Sequence, residues 1–255
     1  MSSFFLYLNS KDSFIGTSAN FLVDFEKSGV EFSDSQVAIG LDYAIFPNLI
    51  YPIRSNGRNT LVFNEGGGNL TATITEGNYD STAFCTALKT AMEAVGGDTY
   101  TITVSSTTNK ITIASTGTFS MNFTLSGGYM WKILGFPYDT TTSTAGSHTG
   151  TMPIRLDGDE YYVLMLENLS SPNASSSFST RGILDIIPMN GAYGDVIYYK
   201  GNEKNNLVLG TVDQLKQVRV RLVDYDGFDL PITDNAETFF KLRVINTQIA
   251  FNGQT

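Results

Sequence analysis

The chain is poor in the residues from which most reactive and metal-binding sites are built. Its 255 residues include one cysteine, Cys85, and one histidine, His148. A single cysteine allows no disulfide within the chain, and a single histidine excludes metal sites built from two or more histidines. Cys85 lies in a helical pattern, and the single histidine that could activate it is far away in the sequence, so we expect a half-buried, packed thiol. His148 lies in a serine- and threonine-rich connector, so we expect an exposed loop residue rather than a catalytic base.

Charged residues are scarce as well, at 16% of the chain against the ~25% of ordinary globular domains. The formal net charge is −9, whereas binding to duplex nucleic acid requires a cationic surface. The densest basic run would place only Arg219 and Arg221 on one face of a strand, so we expect no direct contact with nucleic acid. No stretch approaches the roughly 18 apolar residues of a membrane span, and no secretory signal opens the chain. With no disulfides, these features favour an intracellular origin.

No group of residues has the spacing of a known catalytic or cofactor site. Residues 65–69 are glycine-rich but lack the lysine and hydroxyl residue of a phosphate-binding loop. The acidic segments 157–160 and 224–227 lack the spacing of a calcium loop. We therefore expect turns at all three places, no cofactor, no metal and no enzymatic activity. A glycan hydrolase stays open as an alternative, because its two carboxylates would come from distant strands.

Glycine and aromatic residues are abundant, with 24 glycines, 17 phenylalanines and 13 tyrosines, which favours strands and turns over helices. The clearest strand pattern covers residues 36–48 and ends at Pro47. Its alternating apolar positions are Val37, Ile39, Leu41, Tyr43 and Ile45. Shorter strands are predicted at residues 4–8, 21–25, 61–63, 152–156, 160–166, 182–187, 196–199, 206–209, 217–223 and 239–245. The chain is therefore expected to be mainly β, with strands that form a sandwich.

The middle of the chain has a different pattern, which predicts a small α+β module over residues 66–138. It consists of a strand at 70–74, a helix at 79–95, a hairpin at 100–113, a strand at 119–125 and a helical turn at 129–134. Asn78 or Asp80 can cap the helix, and Gly96 and Gly97 follow its last apolar residue. Residues 139–151 are expected to be a polar connector back to the strands.

The order of these segments resembles that of the penton proteins, the minor capsid proteins at the vertices of virophages, polinton-like viruses and related double-stranded DNA viruses. Residues 36–48 resemble the valine-alanine-leucine to tyrosine-proline strand of those proteins. The segments that follow in the same order as in those proteins are 77–80, the hairpin 100–113, 133–136, 160–163, the strand ending at 186–188 and the late hairpin of 218–222, 226–227 and 239–244.

The resemblance implies a single jelly-roll β-sandwich, formed by residues 1–65 and 139–255, with residues 66–138 inserted. It also implies a structural protein of the virion that is assembled inside the infected host cell. Five copies would form a homopentamer that closes each five-fold position of an icosahedral shell, beside a double-jelly-roll major capsid protein.

The N-terminal segment is a candidate subunit interface, because aromatic residues are enriched at interface cores. Its residues are Phe4, Phe5, Leu6, Tyr7 and Leu8. The alternative is that this segment is an ordinary outer strand of its own sandwich. For the whole protein, the alternative function is a receptor- or carbohydrate-binding head of a spike or fibre, which would fit the exposed glycine-, serine- and threonine-rich loops.

Overall fold

The computed structural model describes residues 2–13, 15–25, 30–31, 36–55, 57–127, 129–138, 141–167, 169, 182–202, 206–211, 214–232 and 236–247. The chain divides into two compact units. The first comprises Met1–Ile50 and Asp159–Thr255, and the second is Tyr51–Gly158. These bounds differ from the expected 66 and 138, because strands on either side of that range pair within the second unit.

The described residues contain seventeen strands and two α-helices, with a short 3-10 helix at Ser10–Asp12. In chain order they are β1 (Ser2–Asn9), β2 (Ile15–Thr17), β3 (Asn20–Asp24), β4 (Val30–Glu31), β5 (Gln36–Pro47), β6 (Thr60–Asn64), β7 (Asn69–Thr73), α1 (Ser81–Glu93), β8 (Tyr100–Val104), β9 (Ile111–Asn122), α2 (Met130–Leu134), β10 (Ala145–Thr149), β11 (Tyr161–Leu166), β12 (Ile183–Pro188), β13 (Val196–Lys200), β14 (Asn206–Thr211), β15 (Gln214–Leu215), β16 (Gln217–Val223) and β17 (Phe239–Thr247).

The first unit is a sandwich of two antiparallel sheets. One sheet has the order β1-β17-β5-β13, with β14 also paired to β5, and the other has the order β12-β11-β16-β3-β2. Their inner faces share one apolar core, in which Phe21 stacks on Phe240 with ring centroids 6.2 Å apart. The prediction of a mainly β protein with a sandwich is therefore confirmed.

The long strand β5 changes the face that it buries part-way along. Val37, Ile39 and Leu41 point into the core as predicted, but the pairing with β17 shifts register between Lys241 and Leu242. A bulge of this kind adds one residue to a strand and moves the following side chains to the other face. The core residues beyond it are therefore Ala44 and Phe46. The predicted strand is present, but the buried row does not continue to Tyr43 and Ile45.

The second unit packs helix α1 against a five-stranded sheet of order β10-β9-β6-β7, with β8 also paired to β9. The helix predicted over 79–95 is present as Ser81–Glu93, and Asp80 caps it by accepting a hydrogen bond from the Ala83 amide at 2.7 Å. The segment 65–69 is a turn, as predicted, and it joins β6 to β7 within this unit.

Three further predictions for the second unit are wrong. The strands expected at 111–113 and 119–125 are one strand, Ile111–Asn122, because β8 and β10 pair with the small polar residues between them. The connector 139–151 contains β10, which pairs with β9. Residues 152–156 form no strand, because the amides of Met152 and Ile154 donate to loop carbonyls of Gly135 and Asn109.

Candidate assembly surface

The predicted interface segment is strand β1, which lies at the end of its sheet. It pairs with β17 from Ser2 to Asn9, and no second strand partner occurs among the described residues. Successive side chains of a strand point to opposite faces. Leu6 and Leu8 are accordingly buried in the core of their own sandwich, whereas Phe5 and Tyr7 point outward and are 42% and 59% exposed.

Phe4 packs partly against the same core. The five candidate residues are therefore divided by the pleat: the outward face of β1 offers two aromatic rings to a partner, and the inward face offers none. In this structure the segment is an outer strand of its own sandwich, which is the alternative given above for it.

Phe5 and Tyr7 belong to a larger cluster on the outer side of the first sheet, which we call the aromatic face. The rings of Tyr7 and Phe239 are 6.2 Å apart, those of Phe239 and Tyr43 are 5.9 Å apart, and those of Tyr43 and Tyr198 are 5.8 Å apart. The members of the aromatic face come from β1, β5, β13 and β17 and are Phe5, Tyr7, Tyr43, Tyr198 and Phe239. The bulge in β5 is what turns Tyr43 toward this side.

One lysine lies among these rings. The ammonium nitrogen of Lys241 lies 3.8 Å from the ring centroid of Phe5 and 5.3 Å from that of Tyr43, which are cation–π distances. Asp42 pairs with it at 2.8 Å. The hydrogen bond that the Lys241 ammonium donates to this carboxylate, together with the carboxylate's charge, raises the pKa of Lys241 above the ordinary lysine value. The aromatic face therefore carries a fixed positive charge that is partly neutralised by its own neighbour.

The other sheet of this sandwich, β12-β11-β16-β3-β2, carries two kinds of group on its outer face: a small apolar cluster of Val163, Met165 and Val223, and a group of ion pairs around β16. The Arg221 guanidinium pairs with Glu167 and, at 2.6 Å, with Asp229. Arg219 lies 3.5 Å from the same Glu167 carboxylate and donates to Asn20 at 3.1 Å. These two arginines, which the sequence placed on one strand face, are thus engaged by acidic and amide groups of adjacent strands and loops.

The single histidine is not the exposed loop residue that was expected. His148 is buried on β10, and its Nε2 lies 2.9 Å from the Phe119 carbonyl oxygen. Because a carbonyl oxygen only accepts, Nε2 carries the proton of this hydrogen bond. The imidazole ring also meets the Phe119 ring edge-on at 4.7 Å. His148 therefore has a structural role, since it links β10 to the Phe119 carbonyl and ring of β9.

Cys85 is buried on α1, and burial raises the pKa of its thiol, in agreement with the expected packed cysteine.

Among the residues that the structure describes, no three acidic, histidine or cysteine side chains are grouped so as to hold a metal ion. The segment 224–227 is a turn in which Asp224 accepts from the amides of Asp226 and Phe228. None of the described helices combines the length and hydrophobicity that crossing a membrane requires.

Comparison with solved structures finds a protein with a similar fold. The crystal structure of the selenomethionine-labelled penton protein of mavirus aligns with 97% of this chain and 100% of its own, at a TM-score of 0.52 and 13% sequence identity. The chain has the fold of a viral penton protein. This confirms, at the level of the fold, the resemblance inferred from the order of the segments. No protein-family model matches the sequence, and no curated protein matches it.

Proposed function

We propose that this protein is a vertex subunit of an icosahedral viral capsid. The observation that carries the proposal is the extent of the structural likeness, which spans 97% of this chain and the whole of the mavirus penton protein. The likeness thus covers the sandwich and the unit inserted between β5 and β11, rather than a sandwich alone. In this role the protein acts by binding and assembly and not as an enzyme.

The strand order supports a single jelly roll for the first unit. A jelly roll can be described as one long antiparallel ribbon that is rolled into two sheets. The corresponding ribbon pairs are β1 with β17, β3 with β16, β5 with β13 and β14, and β11 with β12. In chain order β1, β3, β5 and β11 alternate between the two sheets, β11 and β12 turn back within one sheet, and the strands from β13 to β17 return through the sheets, with β13 and β14 in the same one. A rolled ribbon has this order.

The assembly we propose is a homopentamer. A ring needs two different complementary patches on each subunit, since every contact is head-to-tail. The aromatic face and the edge of β1 supply one patch, because exposed aromatic rings and an unpaired strand edge are both groups that association covers. Phe5 and Tyr7 would contact the neighbouring copy, whereas Leu6 and Leu8 would not.

The position we propose for this ring is the five-fold vertex of the virion, beside a double-jelly-roll major capsid protein, after assembly in the infected cell. Direct contact with the genome is not part of the proposal. The net charge is −9, and the pairing of Arg219 and Arg221 with Glu167 leaves no basic track on that strand face.

Light scattering on the purified protein over a concentration series tests the proposal. We expect a species of five times 27.8 kDa. Replacing Tyr7 with serine should shift the series toward monomer, whereas Phe228→Ser, which removes an exposed ring from a turn of the same unit, should leave it unchanged. A monomer at every concentration, together with binding to a glycan array, would instead favour the receptor- or carbohydrate-binding head.

A further inference from the structure

A groove in the second unit runs between helix α1 and strand β8 and encloses about 320 Å³. One wall is a single helix face, since Thr82, Cys85, Thr86 and Lys89 recur at helical spacing. The other wall is the outer part of β8, residues 102–104. The volume lies at the lower end of the range of about 300–1,000 Å³ that is typical of ligand pockets.

The strand that forms this wall is a free edge. Strand β8 pairs with β9, and no other described strand pairs with it. The backbone of Thr99 faces β9, because its carbonyl accepts from Thr116, and the amide of Ser105 also faces β9, where it donates to Lys110. Backbone groups alternate in direction along a strand, so the amides of Ile102 and Val104 point away from β9.

Helix α1 forms a hydrogen bond with one end of this strand edge, and the groove separates the helix from the other end. The Glu93 carboxylate, at the C-terminal end of α1, accepts from the amide of Tyr100 at 2.8 Å. Beside the N-terminal part of α1 the groove opens, and there the edge groups belong to Ile102 and Val104. The edge of β8 is therefore hydrogen-bonded to the helix at Tyr100 and borders the groove at Ile102 and Val104.

The groove is lined by apolar, hydroxyl-bearing and charged side chains. Ile102 and Val104 are half-buried and pack against the core of the unit, while Thr82 and Thr86 are exposed. Lys89 is the one charged residue in the lining, and its ammonium lies 3.7 Å from Glu93 with the side chain 44% exposed. An occupant would thus meet an apolar floor, hydroxyl groups and one cation.

We propose that the groove binds an extended peptide segment, which adds as a further strand to the edge of β8. The main chain of the peptide would pair with the amides of Ile102 and Val104, an apolar side chain would enter the groove beneath α1, and a carboxylate would lie near Lys89. Strand addition to an exposed edge, with pockets for alternate side chains, is an established mode of peptide recognition. This inference does not depend on the proposed vertex function, because it rests on the second unit alone.

Fluorescence anisotropy with labelled synthetic peptides and the full-length protein tests the proposal. The peptides alternate threonine with valine, leucine or phenylalanine and carry one glutamate. A matched peptide has the same side chains but N-methyl groups on the amides that would pair with the edge. We expect at least one unmodified peptide to bind, its methylated form to bind about ten-fold more weakly or not at all, and amide hydrogen exchange to slow in residues 100–104.

Two variants locate the site independently. Val104→Pro removes an edge donor that does not face β9, and Val104→Thr is its matched control with the donor kept. Thr86→Trp fills the groove from the helix side and needs no change in the sheet. We expect the proline and tryptophan variants, checked for native circular dichroism, to bind about ten-fold more weakly and the threonine variant to bind like the original protein.

Several results would overturn the proposal. These are equal binding of the methylated peptide, unchanged binding to folded Val104→Pro or Thr86→Trp, exchange protection that maps to β1 instead of β8, and the absence of binding by the whole panel at millimolar concentration.

Discussion

Because Tyr7 and Leu8 point to opposite faces of strand β1, substitutions at these two neighbouring residues should have opposite effects on folding and on association. Leu8 is fully buried opposite Phe240, so Leu8→Ala removes apolar contacts and leaves a cavity between the sheets. Such substitutions cost about 2–5 kcal/mol in the free energy of unfolding. Tyr7 is 59% exposed and loses mainly its contact with Phe239, so Tyr7→Ala should cost about 1 kcal/mol or less. For association the order should reverse, with Tyr7→Ala weakening the oligomer.

The assay for the first part is urea unfolding at low protein concentration, where association adds little to stability. Far-UV circular dichroism follows the strands, and the fluorescence of Trp131 follows the second unit. With slopes of about 1–3 kcal/mol per molar urea, Leu8→Ala should lower the midpoint of the sandwich transition by about 1 M or more. If Tyr7→Ala were the more destabilising variant, β1 would be displaced by one residue relative to β17, since such a shift exchanges its two faces.

Three other predictions concern the second unit. The Tyr100 hydroxyl donates to Glu65 at 2.7 Å, and burial, together with that carboxylate, raises the pKa of Tyr100. Tyr100→Phe should therefore cost about 1.5–3 kcal/mol in urea unfolding, and an alkaline absorbance titration of the original protein should show Tyr100 ionising after the exposed tyrosines. His148→Ala should cost about 2–4 kcal/mol, because it opens a cavity and leaves the Phe119 carbonyl without its donor; thermal unfolding measures this, and an unchanged midpoint would place His148 outside the core. Cys85 should react with a disulfide reagent at pH 8 more slowly in the folded than in the unfolded protein, since the thiol is buried and its raised pKa favours the protonated form.

Local patterns in the sequence correctly predicted most of the elements that do not depend on contacts with distant parts of the chain. Val37, Ile39 and Leu41 alternate because one face of β5 is buried, and the cap at Asp80 is visible in the sequence because its side chain serves the next turn of the chain. The alternation does not reveal the change of face at Tyr43, because the bulge there depends on pairing with β17, a strand nearly two hundred positions further along the chain.

Strand β10 and the position of His148 were missed for a related reason. The segment 139–151 consists mostly of threonine, serine and glycine, which are the residues of a connector. It forms a strand because β9 offers a ladder to it and because Phe119 provides a ring and a carbonyl for the imidazole. The one residue that could have indicated this is His148 itself, as the single large side chain among small ones.

The aromatic face could be predicted only in part. The sequence indicated Phe5 and Tyr7 as interface candidates, but their grouping with Tyr43, Tyr198 and Phe239 depends on four strands that are far apart in the chain. The free edge of β8 likewise follows from the absence of a second partner among the described strands, which no local pattern in residues 100–104 reveals.

Electron microscopy of the purified protein tests the central claim most directly, because it shows symmetry as well as size. The vertex proposal predicts ring-shaped particles whose averaged end views have five-fold symmetry, and it predicts their loss in the Tyr7→Ser variant while the Phe228→Ser rings persist. Single subunits at every concentration, or rings of another symmetry, would contradict the claim that this chain closes five-fold positions by itself.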